Sequence, residues 1–244
     1  MEIDILTLFP EMFVSPFNES IIKRARERGL VNINTTNIRD FALDKHQQVD
    51  DYPYGGGAGM VMKPDVLCPA IDSVRRNGSR VIYMSPGGKP LTQKKAAELA
   101  KEEHVVILCG HYEGIDERVL NKVHEEISIG DYVLTGGELP AMVLVDVLVR
   151  LIPGVLDEQS PLEESFSDGL LEYPHYTRPQ NYDGQEAPEV LLSGHHENIR
   201  IWREKQSLLR TLLTRPELLL VRDYTNEEKK LLEEIIFCRE NNCR

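Results

Sequence analysis

The first 150 residues alternate short, uniformly apolar runs with longer stretches in which apolar residues recur at helical spacing. Runs such as VVILC (105–109) are too short for helices and predict buried strands. The predicted strands are Ile3–Leu8, Val31–Asn37, Val81–Met84, Val105–Cys109 and Ser128–Leu134. The predicted helices are Ser20–Arg28, Pro64–Asn77, Thr92–Glu102, Asp116–Lys122 and Leu139–Leu151. This alternation indicates an α/β fold, with a parallel sheet covered by helices on both faces.

The second part of the chain follows a different pattern. Between residues 153 and 190 the periodicity stops and five prolines interrupt the sequence, which is typical of a lid or of a segment that orders on binding. Helical spacing returns over Ser193–Thr214, and Thr225 with Glu228 forms a capping-box pattern before a last apolar helix. We therefore predict an α/β domain over 1–156, a flexible interdomain linker over 157–175 and a small all-α domain over 176–244.

Composition places the chain among ordinary globular proteins, with 41% hydrophobic and 28% charged residues. No apolar run reaches 18 residues, so no membrane partner is expected. The N-terminus MEIDILTLFPEMF predicts a first strand and not a signal peptide. Four scattered cysteines do not make a disulfide framework, which predicts reduced thiols and a cytoplasmic protein. These cysteines are Cys68, Cys109, Cys238 and Cys243.

The net charge of −12 taken alone disfavours a nucleic-acid partner, but its distribution leaves that partner open. Within residues 195–222, six basic residues accompany three acidic ones. A second basic group, at residues 23–28, lies on a predicted N-terminal helix. Such groups are also common on solvated helix faces. The basic residues therefore indicate either RNA binding or an ordinary exposed helix surface.

Three glycine-rich segments lie at the ends of predicted strands: YMSPGGK (83–89), CGHYEG (109–114) and VLTGGELP (133–140). Ligands of open parallel sheets bind beyond the carboxyl ends of the strands. The sequence therefore predicts a small-molecule site built from the loops between Cys109 and Pro140. Neither a dinucleotide fingerprint nor a phosphate-binding loop is present, because PYGGGAGM (53–60) does not follow a strand and SPGGKP (85–90) lacks the required spacing.

Taken together, the motifs resemble the bacterial tRNA guanine-N1 methyltransferase family. The resemblance rests on LFPEMF, YPYGGGAGM, CGHYEGIDERV, SIGDYVLTGGELPAM, IPGVL, ESFSDGLLEYPHYTRP and LLSGHHENIRIWR, in the family's order over nearly the whole chain. It implies a SPOUT domain with a deep trefoil knot, and a homodimer with shared active sites. It further implies S-adenosyl-L-methionine as methyl donor, a Mg²⁺ requirement with Glu113 as a candidate ligand, and methylation of guanine 37 in tRNA. The C-terminal helices and their basic residues would hold the anticodon stem-loop.

The resemblance also assigns residues to the cofactor. These are Ser85, Pro86, Gly110, Tyr112, Glu113, Gly114, Ile129, Gly130, Asp131, Tyr132, Val133, Leu134, Gly136, Gly137 and Pro140. His111 stands where many members carry arginine.

Methylation of guanine N1 needs a base, because N1 carries a proton at neutral pH, and it needs a positive group where charge develops on O6. The resemblance assigns the second role to Arg150. For the base it points to Glu164, where the family usually has aspartate, and Asp168 is the alternative. Asp168 could instead be a turn residue before Gly169. Two other functions remain open: a nucleotide-handling α/β enzyme, which would explain the glycine loops, and a non-catalytic RNA-binding regulator, which would explain the basic helices.

Overall fold

The computed structural model describes residues 1–157 and 164–242, with side chains through Phe237. The chain divides into two compact units, Met1–Asp157 (unit 1) and Glu158–Arg244 (unit 2). Residues 158–163 of the predicted linker, the side chain of Cys238 and all of Cys243 lie outside the described residues. Among the helices described, none is long and apolar enough to cross a membrane.

Unit 1 is built on a five-stranded sheet in which every neighbouring pair is parallel. The strand order is β2-β1-β6-β5-β7, and β3 and β4 form a separate antiparallel pair. The strands are β1 (Glu2–Thr7), β2 (Asn32–Asn37), β3 (Asp50–Asp51), β4 (Val61–Met62), β5 (Arg80–Pro90), β6 (His104–Cys109) and β7 (Glu125–Ser128). β6 is buried along its whole length, as its apolar run predicts.

Helices cover both faces of this sheet. One face packs on α1 (Val14–Phe17), α2 (Ser20–Glu27), α4 (Gln93–Leu99) and α5 (Glu138–Val149), and the other on α3 (Pro64–Val74). Successive residues of β6 alternate between the two cores, with Val105 and Ile107 on the α5 side and Val106 and Leu108 on the α3 side. The predicted α/β class with a doubly covered parallel sheet is confirmed.

Two predicted elements differ from the structure. The predicted strand Ser128–Leu134 is wrong, because β7 ends at Ser128 and residues 129–134 form a loop. Gly130 has φ of +150°, and its N–H donates to the Ser128 hydroxyl (3.2 Å) while its carbonyl accepts from Tyr132 (2.9 Å). Backbone groups used locally in this way cannot continue a sheet ladder. The predicted helix Asp116–Lys122 is a 3₁₀ helix over Glu117–Lys122, and two more 3₁₀ helices cover Pro10–Phe13 and Ile38–Phe41.

Unit 2 is mainly helical, as predicted. Its elements are β8 (Asn181–Tyr182), β9 (Gln185–Glu186), α6 (Glu189–Leu192), α7 (His196–Thr214), a 3₁₀ helix Pro216–Val221 and α8 (Asn226–Asn242). The predicted capping box is confirmed: Thr225 Oγ1 accepts from the N–H of Glu228 (3.1 Å), and the Glu228 carboxylate accepts from the N–H of Thr225 (2.7 Å). The β8–β9 hairpin was not predicted; it turns on Asp183 and Gly184, both at positive φ.

The described end of the predicted linker is packed into unit 2. Leu170 is buried with Leu208, Leu231 and Ile235 in the core of this unit. The N–H of Leu171 donates to the hydroxyl of Thr211 on α7 (2.9 Å). Residues 164–172 are therefore attached to the helices that follow them.

Candidate functional site

A cavity of about 260 Å³ lies at the carboxyl ends of β5, β6 and β7. This volume is slightly below the usual range for small-molecule sites, roughly 300–1,000 Å³. Of the residues assigned to the cofactor from the sequence, all of which are described, only Asp131 is not part of the lining. The three glycine-rich segments do converge, and they do so on one cavity.

Six further residues line the cavity and were not assigned to it from the sequence: Tyr83, Met84, His111, Ile127, Ser128 and Thr135. Tyr83 and Met84 lie where β5 stops pairing with β6, and Ile127 and Ser128 lie at the end of β7, so position in a parallel sheet was the available signal. Burial raises the pKa of the Tyr83 phenol to about 12, with a smaller contribution from the charge of Glu126. Tyr83 therefore stays neutral in the cavity wall.

The two main loops of the cavity are joined through their backbones. His111 and Gly136 form an antiparallel bridge, and the N–H of Gly137 donates to the carbonyl of Gly110 (2.8 Å). A Cβ atom on Gly137 would stand 2.7 Å from Cα of Cys109, closer than real Cβ contacts. Glycine at 137 is thus required by the approach of two backbones, and this approach brings α5 to the cavity edge.

A buried carboxylate, Glu138, stabilises the same junction. It is the first residue of α5 and is 2% exposed. The Thr7 hydroxyl at the end of β1 donates to its Oε1 (2.7 Å), and its Oε2 lies 2.7 Å from Nε2 of His111. The ring of His111 also lies 4.9 Å from that of Phe9. Glu138 was not predicted from the sequence, because an acid in the first turn of a helix has an ordinary explanation in the helix dipole.

The described cysteines are free thiols, Cys68 and Cys109. Burial, followed by the charge of Glu138, raises the pKa of the Cys109 thiol. Cys109 is therefore a packed, protonated residue behind the cavity and not a nucleophile.

The three proposed catalytic residues are separated from this cavity along the chain. Pro140 on α5 lines the cavity, whereas Arg150 caps the other end of that helix. Ten helical residues at roughly 1.5 Å each place their backbones about 15 Å apart. Glu164 and Asp168 lie in unit 2, where they line a cavity of about 570 Å³ with Arg203 and Glu228.

Asp168 has a structural role within unit 2. Its Oδ1 accepts a hydrogen bond from the N–H of Leu170 (3.0 Å), across Gly169 at φ of +86°. This is an Asx-type turn, in which the carboxylate stabilises the local backbone. The turn leads directly to the buried Leu170.

Several basic residues of the C-terminal helices form ion pairs. Arg200 contacts Glu197, Glu204 and Glu227 at 2.7–2.9 Å. Other pairs join Lys205 with Glu234 (2.7 Å), Arg215 with Glu217, and Arg222 with Glu228 (2.6 Å). Only the last of these pairs is largely buried, so Arg222 serves the interior of unit 2.

The described residues contain no ready-made cluster of metal ligands. Within them, no group of three or more His, Cys, Asp or Glu side chains is arranged to hold a metal ion. The Glu113 carboxylate instead packs against Gly59. We therefore assign no step to a metal.

Replacement of Glu138 tests the buried junction. Glu138→Ala leaves the Thr7 hydroxyl and the His111 ring without their shared partner. A buried polar group that loses its hydrogen-bond partner destabilises the fold by about 1–3 kcal/mol. We expect urea denaturation to show a loss of that size in the free energy of unfolding. Glu138→Gln, which keeps an acceptor for Thr7, should lose less. Glu117→Ala removes an exposed acid nearby and serves as the control. Equal stability of Glu138→Ala and Glu117→Ala would contradict a stabilising role.

Comparison with known proteins identifies the family. The family model described as tRNA (Guanine-1)-methyltransferase TrmD matches residues 1–221. The chain is 72% identical over 242 residues to a tRNA (guanine-N(1)-)-methyltransferase of Syntrophomonas wolfei subsp. wolfei, covering 99% of each chain. It is 63% identical over 242 residues to the protein of that name from Pelotomaculum thermopropionicum, covering 97% of this chain and 96% of that one. The family expected from the sequence motifs is confirmed: the chain belongs to the tRNA (guanine-1)-methyltransferase family.

Proposed function

We propose that the cavity at the ends of β5, β6 and β7 holds S-adenosyl-L-methionine for the N1-methylation of guanine 37 in tRNA. The observation that carries this proposal is the convergence of the loops at 110–114 and 129–140 on one cavity, in a chain of this family. Since tRNA is the substrate, we place the enzyme in the cytoplasm.

The cavity suits this cofactor in its chemistry. Its glycine-rich loops present backbone N–H and C=O groups, which can hydrogen-bond an adenine edge or a ribose, and apolar side chains such as Ile129 and Leu134 complete the wall. When bound, S-adenosyl-L-methionine supplies an electrophilic methyl group on a sulfonium. The task of the protein is then to hold that methyl group in line with guanine N1 and to exclude water.

Proton removal from N1 is the task that we assign to Glu164. The alternative, Asp168, already accepts the N–H of Leu170 and holds a turn. Glu164 directly precedes Ser165 and Phe166, at the motif position where the family usually has aspartate, and we therefore keep it as the first choice. The guanidinium of Arg150 would donate to O6 as negative charge develops there.

We further propose that each active site is shared between two copies of the chain. Arg150 lies at the end of α5 opposite the cavity, so one copy does not bring them together along this helix. A second copy placed against α5 would supply its own Arg150.

An exposed apolar surface supports this arrangement. Phe9, Met12 and Val14 are each 43–50% exposed, and the 3₁₀ helix that carries Met12 packs against α5. Leu139 and Val143 on α5 are exposed to a similar degree. Exposed apolar side chains on two packed helices are typical of a protein interface, and we assign them to a second copy because Phe9 adjoins His111 of the cavity.

We also propose that unit 1 contains the deep trefoil knot that the resemblance implies. The chain leaves the sheet after β6, forms β7 and returns to pair Gly136 with His111. The return of the chain to the loop after β6 supports the proposal, because the chain belongs to the family for which this knot is expected.

Unit 2 would contact the anticodon stem-loop through its exposed cations. Exposed ion pairs are weak and exchange readily, so phosphates can replace the carboxylates around Arg200 or Lys205. Arg222 is excluded from this role by its burial.

The direct test is transfer of labelled methyl from S-adenosyl-L-methionine to an unmodified leucine or proline tRNA transcript. We expect the label on N1 of the guanine beside the anticodon. Arg150→Ala should lower the transfer rate by about 10²–10³-fold, the usual cost of one lost charge-stabilising donor, while cofactor affinity measured by calorimetry stays unchanged. Wild-type protein that leaves this guanine unlabelled would contradict the function, and full activity of Arg150→Ala would contradict its role at O6.

The choice of base is tested by comparing Glu164→Gln with Asp168→Asn under single-turnover conditions. Loss of a general base costs about 10²–10⁴-fold, so Glu164→Gln should lose that much. Asp168→Asn keeps an oxygen that can accept the N–H of Leu170, and it should stay within a few-fold of wild type. The opposite order of the two rates would assign the base to Asp168.

A further inference from the structure

One glycine-rich segment noted in the sequence has no role in the cavity lining, although it lies beside the cavity. Residues 52–60 connect β3 with β4, and the chain turns where the N–H of Gly56 donates to the carbonyl of Pro53 (3.2 Å). We call residues 52–60 the tyrosine loop, because it begins YPY.

The tyrosine loop is hydrogen-bonded to the cavity loop. The N–H of Glu113 donates to the carbonyl of Met60 (3.0 Å), and the N–H of Met62 donates to the carbonyl of Gly114 (2.9 Å). Glu113 and Gly114 both line the cavity. The base of the tyrosine loop is therefore fixed beside the place where the methyl group would be held.

Gly59 shows how close this approach is. It has φ of +85°, and a Cβ atom there would stand 2.4 Å from Cγ and Oε1 of Glu113. Only glycine allows the two segments to pack at this distance without displacing the Glu113 side chain.

Two tyrosines on this loop project into solvent. Tyr52 is 78% exposed and Tyr54 is 98% exposed. Neighbouring aromatic rings left in water beside a ligand cavity are typical of a binding surface, because their burial on contact is strongly favourable.

The partner that fits these rings is an unpaired nucleobase. Proteins recognise single-stranded RNA loops largely by stacking bases on aromatic side chains, which needs no positive charge. That mode suits a chain of net charge −12, because it adds affinity for RNA that does not depend on cations. When the anticodon loop presents its guanine to the cavity, the neighbouring bases of that RNA loop must come to the same edge of unit 1.

We propose that Tyr52 and Tyr54 form a stacking surface for unpaired bases of the tRNA anticodon loop that adjoin the methylated guanine. This inference rests on the proposed function. It adds a substrate contact in unit 1, separate from the cofactor loops and from unit 2.

The test uses the full-length protein with both tyrosines replaced by alanine and, as a second variant, both replaced by phenylalanine. Stacking is lost in the first and kept in the second. The double alanine variant should raise KM and Kd for the unmodified tRNA transcript by about 10-fold or more, the size expected for one lost stacked base. The double phenylalanine variant should stay within a few-fold of wild type. Affinity for S-adenosyl-L-methionine and the melting temperature should be unchanged in both.

Leu43→Ala is the matched control, because Leu43 is 96% exposed in the same unit and lies outside the tyrosine loop. It should bind and methylate tRNA as wild type does. The proposal would be overturned if the double alanine variant bound tRNA with wild-type affinity. It would also be overturned if the alanine and phenylalanine variants lost equal tRNA affinity, because that result would assign the contact to the hydroxyls. Altered self-association with normal tRNA affinity would assign the tyrosines to a protein contact. Absence of methyl transfer by wild-type protein would be a separate failure, that of the proposed function.

Discussion

The geometry of the cavity depends on one buried contact, the Glu138 carboxylate between Thr7 and His111. These three residues come from the end of β1, the loop after β6 and the first turn of α5. A buried carboxylate without hydrogen-bond partners is strongly unfavourable. The end of β1, the loop after β6 and the first turn of α5 are therefore most stable when they meet at Glu138. The backbone contact of Gly137 with Cys109 and Gly110 is possible only in the same arrangement. The shape of the cavity therefore follows from two constraints together: the hydrogen bonds of the buried Glu138 and the close backbone approach at Gly137.

The proposed roles of the enzyme are distributed over different parts of the chain. Cofactor binding is assigned to the loops of unit 1, whereas Arg150 lies at the opposite end of α5 and Glu164 lies in unit 2. In the proposed arrangement, a second copy and the RNA complete the site.

The sequence predicted well those features that depend on local pattern. The uniformly apolar run of β6 and the Thr225–Glu228 capping box were both predicted correctly. Features that depend on contacts between distant residues were missed. The loop after Ser128 has apolar residues that suggest a strand, but Gly130 diverts the backbone. The partner of Glu138 is 131 residues away at Thr7, and no spacing rule connects them. Charge counts in the C-terminal helices likewise did not reveal that Arg200 faces three glutamates.

The central claim is that the loops of unit 1 hold the methyl donor. Hydrogen-exchange mass spectrometry with and without S-adenosyl-L-methionine measures this directly, because bound loops exchange their amides more slowly. We expect slower exchange in peptides that cover residues 109–116 and 129–140, with no change in residues 196–214 of α7. Binding of the cofactor without protection of these loops, or with protection confined to unit 2, would contradict the claim.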